Sequence, residues 1–268
     1  MERSQQVRAL VRMLLEEMPE HRVEAERVPQ DPASQRRLLR GLMTLRPPLP
    51  LREDFLSLQD ALLGAEREEK GVVDAMELPA TESGLVLWQG DITRLRAGAI
   101  VNAANSALLG CFYPCHGCID NAIHSAAGLQ LRDECARLME AQGHPEPTGR
   151  AKLTGAYNLP SRHVLHTVGP IVQGGLRRED RELLASCYRS CLELSEEQGL
   201  ESVAFCCIST GEFHFPQQTA AELAVETVQT FLGTHSGIRR VIFNVFQDRD
   251  RRIYRDLLGP DRSAPAGA

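Results

Sequence analysis

Residues 98–105 read Gly-Ala-Ile-Val-Asn-Ala-Ala-Asn, a short apolar run that ends in asparagine. Further runs rich in valine and isoleucine lie at 84–93, 163–170, 202–210 and 239–248. Helices are predicted between them, at 120–141, 180–198 and 217–232. Apolar runs without polar alternation are typical of strands that helices bury on both faces. The order therefore predicts an α/β fold, a three-layer α/β/α sandwich with a mixed, mostly parallel sheet.

Polar residues collect directly after three of the predicted strands. Gly90 and Asp91 follow the first strand, Asn102–Asn105 end the second, and Ser209–Gly211 follow a later one. The carboxyl ends of parallel strands meet at one edge of an open sheet, and ligands bind there. The sequence therefore predicts a ligand site at this edge.

The N-terminal part of the chain has a different texture. Apolar residues recur at helical spacing over 2–18, 35–45 and 54–63, and the proline-rich segment 46–51 must end a helix. We predict a helical N-terminal extension over 1–75 and the main domain over 76–262. Residues 263–268 lack an apolar face and are predicted to form a flexible tail.

The composition limits which classes of molecule the protein can bind. The 268 residues are 43% hydrophobic and carry a formal net charge of -6. Because neutralisation of phosphates by lysine and arginine dominates nucleic-acid binding, we expect no nucleic-acid partner. A small phosphate-bearing ligand stays open, since backbone N–H groups at helix starts and glycine-rich turns can hold it.

The N-terminal residues show no targeting signal. Residues 1–21 mix charged and apolar positions, so they lack the apolar core of a secretory signal. No apolar run in the chain reaches the ~18 residues that would cross a membrane. We expect a cytoplasmic protein without a membrane partner.

Four potential metal ligands lie in one short loop. They are Cys111, Cys115, His116 and Cys118, and thiolates with an imidazole suit zinc. No second ligand pair occurs at the spacing of a zinc finger, so three protein ligands and an open position, as in catalytic sites, fit better.

Other interpretations of this cluster stay open on the residues alone. The cysteines could be small buried apolar residues. Cys115 and Cys118 form a Cys-x-x-Cys pair, which is also typical of thiol redox proteins. A zinc deaminase is disfavoured because its upstream His-x-Glu pair is absent.

Several separated motifs together resemble the macrodomain family, specifically its MacroD-type hydrolases. In chain order they are Gly90–Thr93, Ala99–Asn105, Ile119–His124 with Gly128, and Ser209–Phe213. The resemblance covers roughly residues 75–260. It implies a macrodomain sandwich that binds ADP-ribose and removes mono-ADP-ribose from modified protein side chains.

One departure from the MacroD-type pattern is informative. Most such proteins carry a run of glycines after the Asn-Ala-Ala-Asn strand, where this chain has Gly-Cys-Phe-Tyr-Pro-Cys-His-Gly at 110–117. This loop resembles the bacterial zinc-containing subgroup, whose pattern implies Cys111, His116 and Cys118 as Zn²⁺ ligands and leaves Cys115 at a variable position. The subgroup also implies a lipoyl-carrier protein, modified by a sirtuin-type transferase, as the partner.

The resemblance also assigns ligand-binding roles. Asp91 would accept the adenine amine beside the N–H of Ile92, and Phe246 would stack on adenine. Residue by residue alone, Asp91 could be a turn aspartate and Phe246 a core aromatic. The diphosphate would bind the loop formed by Ser209, Thr210, Gly211, Glu212 and Phe213.

The implied catalytic residues are Asn105, at the distal ribose, and Asp120, which would position or deprotonate the nucleophile. Zinc would lower the pKa of a ribose hydroxyl or a water during cleavage at C1″ or at an ester carbonyl. His124 stays outside this set. An ADP-ribose reader without turnover, or an O-acetyl-ADP-ribose deacetylase, remains the alternative.

Overall fold

The computed structural model describes residues 2–259, so the flexible tail predicted at 263–268 lies outside the described residues. The chain begins with helices α1 (Arg3–Glu17), α2 (Arg22–Glu26), α3 (Pro32–Leu45) and α4 (Glu53–Lys70), with a 3-10 turn at Pro19–His21. Their apolar faces form a separate core cluster that includes Leu10, Leu39 and Leu62, and Leu129 of the main domain joins it. This packing accounts for the helical pattern of the N-terminal sequence.

The strands form two sheets. They are β1 (Val73–Asp74), β2 (Leu85–Gln89), β3 (Leu95–Arg96), β4 (Ala99–Ala103), β5 (Ala151–Gly155), β6 (His163–Thr167), β7 (Ser202–Phe205) and β8 (Arg240–Val245). The large sheet has the order β2-β8-β7-β4-β6-β5, and β5 alone runs antiparallel to its neighbour. The predicted mixed, mostly parallel sheet is confirmed. β1 and β3 form a small parallel pair, so the chain after α4 joins the main domain.

The main-domain helices are α5 (Ile119–Ala127), α6 (Leu129–Gln142), α7 (Arg178–Glu197), α8 (Gln217–Leu232) and α9 (Asp248–Leu258). After β4 the chain passes through α5, α6 and the edge strand β5 to β6, on one side of β4. Through α7 and α8 it then returns to β7 and β8 on the other side. Parallel crossovers are right-handed, so the two groups of helices cover opposite faces of the sheet. The three-layer sandwich is confirmed, and its switch point lies between β4 and β7.

The helix predicted over 120–141 is in fact two helices that meet at Gly128. Gly128 has φ +97°, which ends α5, and a side chain there would collide with the Gln59 amide. Gln59 is fully buried, and its Oε1 accepts a hydrogen bond from the Leu129 N–H at 2.9 Å. A side chain of the extension therefore caps α6. Among residues 2–259, no helix combines the length and apolar character that crossing a bilayer requires.

Candidate functional site

A cleft of about 980 Å³ opens beyond the carboxyl ends of β4 and β7. Every residue with a role predicted from the sequence lies on its wall. These residues are Asp91, Ile92, Asn105, Cys111, His116, Cys118, Asp120, Ser209, Thr210, Gly211, Glu212, Phe213 and Phe246. The fold brings together four separate segments, which follow β2, β4, β7 and β8, as expected at the carboxyl edge of an open parallel sheet.

The metal loop, residues 110–118, connects β4 to α5 and brings three soft ligands together. The candidate ligand atoms of Cys111, His116 and Cys118 all lie within 4.8 Å of one another, and Cys111 Sγ is 3.6 Å from His116 Nδ1. In tetrahedral zinc sites, bonds of about 2.3 Å to sulfur and about 2.1 Å to nitrogen place the two atoms about 3.6 Å apart. The donor set and its spacing therefore fit a zinc ion.

Cys118 is the N-cap of α5, and its Sγ accepts a hydrogen bond from the Asn121 N–H at 3.4 Å. Burial, and to a smaller extent the neighbouring Cys111, raise the pKa of the Cys118 thiol to about 12. A cation beside the Cys118 sulfur would favour its thiolate. The loop chemistry suits a bound metal better than two free thiols.

Cys115 is directed away from this group. Its thiol donates to the Arg37 carbonyl oxygen at 3.5 Å, and all eight cysteines are free. In a redox Cys-x-x-Cys motif the first cysteine lies at the helix start, whereas here the second, Cys118, is the cap. The geometry therefore favours the metal interpretation over the redox one.

Asp120, in the first turn of α5, is buried at the bottom of the cleft. Asn102 Nδ2 donates to its Oδ1 at 2.8 Å, and Asn105 Nδ2 lies 3.4 Å from its Oδ2. Burial raises the pKa of the Asp120 carboxyl to about 6. Asn105 Nδ2 also donates to the Gly110 carbonyl, so Asn105 joins the end of β4 to the metal loop.

Asn102 was not predicted as a site residue, because it lies within the apolar run of β4. It is fully buried, and a polar side chain in such a position needs partners. Behind it, His166 Nδ1 is 3.2 Å from Asn102 Nδ2, and His166 Nε2 is 2.9 Å from Thr154 Oγ1. Burial lowers the pKa of His166 to about 3, so the ring is neutral and supports Asn102 from the interior.

A second group of potential metal ligands, His124, Cys135 and His166, is buried behind Asp120. His124 Nε2 lies 3.5 Å from Asp120 Oδ1, and burial lowers the pKa of His124 well below its usual value. None of the three lines the large cleft, in contrast to the residues of the metal loop. The group forms a neutral polar layer between Asp120 and the core.

Asp91 and Phe246 lie together at the far end of the cleft. Asp91 Oδ1 accepts hydrogen bonds from the Thr93 N–H and hydroxyl at 3.0 and 2.7 Å. This oxygen therefore stabilises the local turn, as expected for a turn aspartate. The other oxygen lies 3.9 Å from Lys70 Nζ and is free to accept from a ligand. Phe246 is 78% exposed directly after β8, so the alternative that it is a core aromatic is wrong.

The 209–213 loop lies between these two ends of the cleft and offers backbone donors. Within residues 2–259, the N–H groups of Gly211, Glu212 and Phe213 form no hydrogen bond. Ser209 has φ +64° and is buried, and its side chain packs so closely against the segment after β6 that a Cβ at Gly169 would collide with Ser209 Oγ. Unpaired N–H groups in a strained turn are suited to holding an anion.

Gly169 also lines the cleft and was not predicted as a site residue. A glycine followed by a proline after a strand indicates a turn, but the close approach to Ser209 depends on how β6 and β7 lie on either side of β4 in the sheet.

Comparisons with known proteins agree with this geometry. Over 253 residues the chain is 48% identical to "Protein-ADP-ribose hydrolase" of Treponema medium, covering 93% of this chain and 96% of that protein. It is 46% identical to a protein of the same name from Staphylococcus aureus strain MRSA252, covering 84% and 85% of the two chains.

Solved structures agree as well. The Trypanosoma brucei macrodomain in complex with ADP-ribose superimposes with a TM-score of 0.65 at 31% identity, covering 82% of this chain and 95% of that one. A variant of the Oceanobacillus iheyensis macrodomain with ADPR gives 0.59 at 39% identity, covering 64% and 90%. Residues 101–224 match the sequence profile of the family described as Macro domain. The chain belongs to the macrodomain family.

Proposed function

We propose that this chain is a hydrolase that removes mono-ADP-ribose from modified protein side chains, with a zinc ion held by Cys111, His116 and Cys118. The observation that carries the proposal is the convergence of these three ligands beside Asp120 in one cleft. A protein that only binds ADP-ribose does not need a metal-ligand group at this position. The names of the relatives, protein-ADP-ribose hydrolase, support the same activity.

The cleft offers a partner for each part of ADP-ribose. The free oxygen of Asp91 accepts from the adenine amine, and exposed Phe246 offers a face for stacking. The unpaired N–H groups of the 209–213 loop bind the diphosphate, which needs no cationic side chain. Backbone donors thus explain how a chain of net charge -6 holds a dianionic ligand.

The distal ribose lies against Asn105 and Asp120 in this arrangement. Asn102 and Asn105 hold the two oxygens of the Asp120 carboxylate, so its position is fixed before substrate arrives. Asp120 orients the nucleophile or takes its proton. A zinc ion in the metal loop would supply Lewis-acid chemistry beside the scissile bond.

The protein that carries the modification follows from the resemblance rather than from the cleft. The resemblance to the zinc-containing subgroup favours a lipoyl-carrier protein modified by a sirtuin-type transferase. The ester of O-acetyl-ADP-ribose would reach the same side chains, so it is a second substrate to assay.

The test combines metal analysis with turnover. Zinc content and release of ADP-ribose from a mono-ADP-ribosylated protein are measured for the wild-type protein, Cys118→Ala and the matched control Cys115→Ala. We expect one zinc per chain and turnover in wild type and control, and the loss of both in Cys118→Ala. Tight ADP-ribose binding without zinc or turnover in the wild type would instead identify a reader.

A further inference from the structure

We propose that Arg40, in α3 of the N-terminal extension, is a positioning residue for the metal loop. The inference deepens the proposed function and rests on it, because it assigns to the extension the task of holding two of the three candidate zinc ligands. Arg40 does not itself ligate the metal.

One nitrogen of Arg40 reaches both arms of the loop. Its Nη2 donates to Asn121 Oδ1 at 2.7 Å and lies 3.5 Å from the carbonyl oxygen of His116. The Arg40 side chain also lines the cleft itself. A cation from the extension therefore contacts the backbone of one candidate ligand directly.

Asn121 carries the contact to the second ligand. Its backbone N–H donates to Cys118 Sγ at 3.4 Å, and its side-chain Nδ2 donates to the Tyr113 carbonyl oxygen at 3.2 Å. Asn121 therefore contacts Arg40 through its side chain and the Cys118 sulfur through its backbone N–H. Arg40, Asn121 and Cys118 form a continuous chain of hydrogen bonds.

The metal loop needs such support because few of its residues are held by regular secondary structure. Residues 104–118 contain no helix or strand, and Gly110 and Cys115 both have positive φ, at +81° and +55°. α3 packs directly over the loop: a Cβ on Gly41 would lie 3.7 Å from Pro114 Cβ. The thiol of Cys115 bonds to the same helix at the Arg37 carbonyl.

Residues that hold metal ligands in place raise metal affinity without touching the metal. Removing such a contact costs about 10- to 100-fold in affinity. We therefore expect Arg40→Met to weaken zinc binding by that factor. The side chain of Met keeps most of the aliphatic stem, so the packing of α3 is retained.

The experiment measures zinc affinity by chelator competition on the full chain. The variants are Arg40→Met, Asn121→Ala, their combination, and Arg37→Met as the matched control, since Arg37 is exposed on the same helix. The visible spectrum of the Co²⁺-loaded proteins reports the geometry of the thiolate ligands. Thermal unfolding of the metal-free proteins separates loop effects from loss of fold.

The expected result is a weaker affinity and an altered Co²⁺ spectrum in Arg40→Met, with Arg37→Met like wild type. Because Arg40 and Asn121 share one hydrogen bond, the double variant is expected to lose less than the sum of the two single losses. Wild-type affinity in Arg40→Met, or additive losses, would overturn the inference. A wild-type protein without zinc would overturn the proposed metal site as well, which distinguishes the two failures.

Discussion

His116 Nε2 lies 3.6 Å from Glu212 Oε1, and this pair connects the metal loop to the 209–213 loop. The opposite ring nitrogen, Nδ1, is the one that faces Cys111 Sγ. A carboxylate on the far nitrogen of a ligating histidine fixes its tautomer and increases its basicity. In the proposed zinc site, Glu212 would therefore orient the His116 ring, besides offering the backbone donor predicted from the sequence.

Glu212→Gln tests that task. The variant keeps the backbone N–H but removes the charge, so we expect zinc affinity to fall by no more than about tenfold, at the low end for such contacts. The effect is small because the Glu212 side chain is 71% exposed and water weakens the ion pair. Chelator competition measures the affinity, and ADP-ribose titration of the metal-free protein serves as the control and is expected to be unchanged. An unchanged zinc affinity would show that the contact does not orient His116.

Asp120→Asn separates catalysis from binding. We expect kcat for ADP-ribose release to fall by about 10²-fold or more, as for loss of a general base, while ADP-ribose affinity stays within about threefold. The neutral amide fits the buried position, so the fold is retained. Rapid-mixing single turnover and ligand titration measure the two quantities. Retained turnover would remove Asp120 from the mechanism.

The arrangement of the sheet could be predicted because its signal is local. The five parallel strands are short apolar runs, and each crossover helix has its own periodicity, as in 217–232, where α8 was found. β5 (Ala151–Gly155) contains neither valine nor isoleucine and was not predicted. Gly128 was visible in the sequence, but a glycine alone does not break a helix. The break depends on Gln59, which lies 70 positions before the start of α6 at Leu129 and contacts it only in the folded chain.

The residues of the candidate site also differ in whether the sequence could predict them. On its residues alone the metal loop offered four candidate ligands, and the family resemblance was needed to select Cys111, His116, Cys118 and Asp120. Arg40 could not be selected from the sequence, because its role depends on how the extension packs over the metal loop. An arginine on an amphipathic helix is usually solvated, and no local pattern distinguishes this one.

Phe246→Ala tests the adenine end of the cleft. Stacking of a base on an aromatic side chain is worth about 1–3 kcal/mol, so we expect ADP-ribose affinity to fall roughly fivefold to a hundredfold. The ring is exposed and contributes little to the core, so the unfolding temperature stays that of wild type. Calorimetric titration measures the affinity, and pyrophosphate, which lacks a base, is the control ligand. Equal losses for both ligands would mean that Phe246 shapes the cleft rather than stacking.

The buried histidines behind Asp120 predict how stability depends on pH. Burial holds the pKa of His166 at about 3, against about 6.5 in an unfolded chain. Between these values the unfolded chain binds more protons, so the contribution is fully present above pH ~6.5 and is lost as pH falls towards ~3.

The variant His166→Gln isolates this contribution, because the amide keeps hydrogen-bonding capacity toward Asn102 and Thr154 but does not titrate in this range. We expect the free energy of unfolding of the wild type to fall with acid more steeply than that of the variant. The difference is at most about 1.4 kcal/mol per pH unit, the limit for one proton. Urea unfolding of metal-free protein at several pH values between neutral and mildly acidic measures it, since metal release would add its own pH dependence. Parallel curves for the two proteins would mean that the pKa of His166 is the same in the folded and unfolded chain, and that the neutral layer behind Asp120 does not exist.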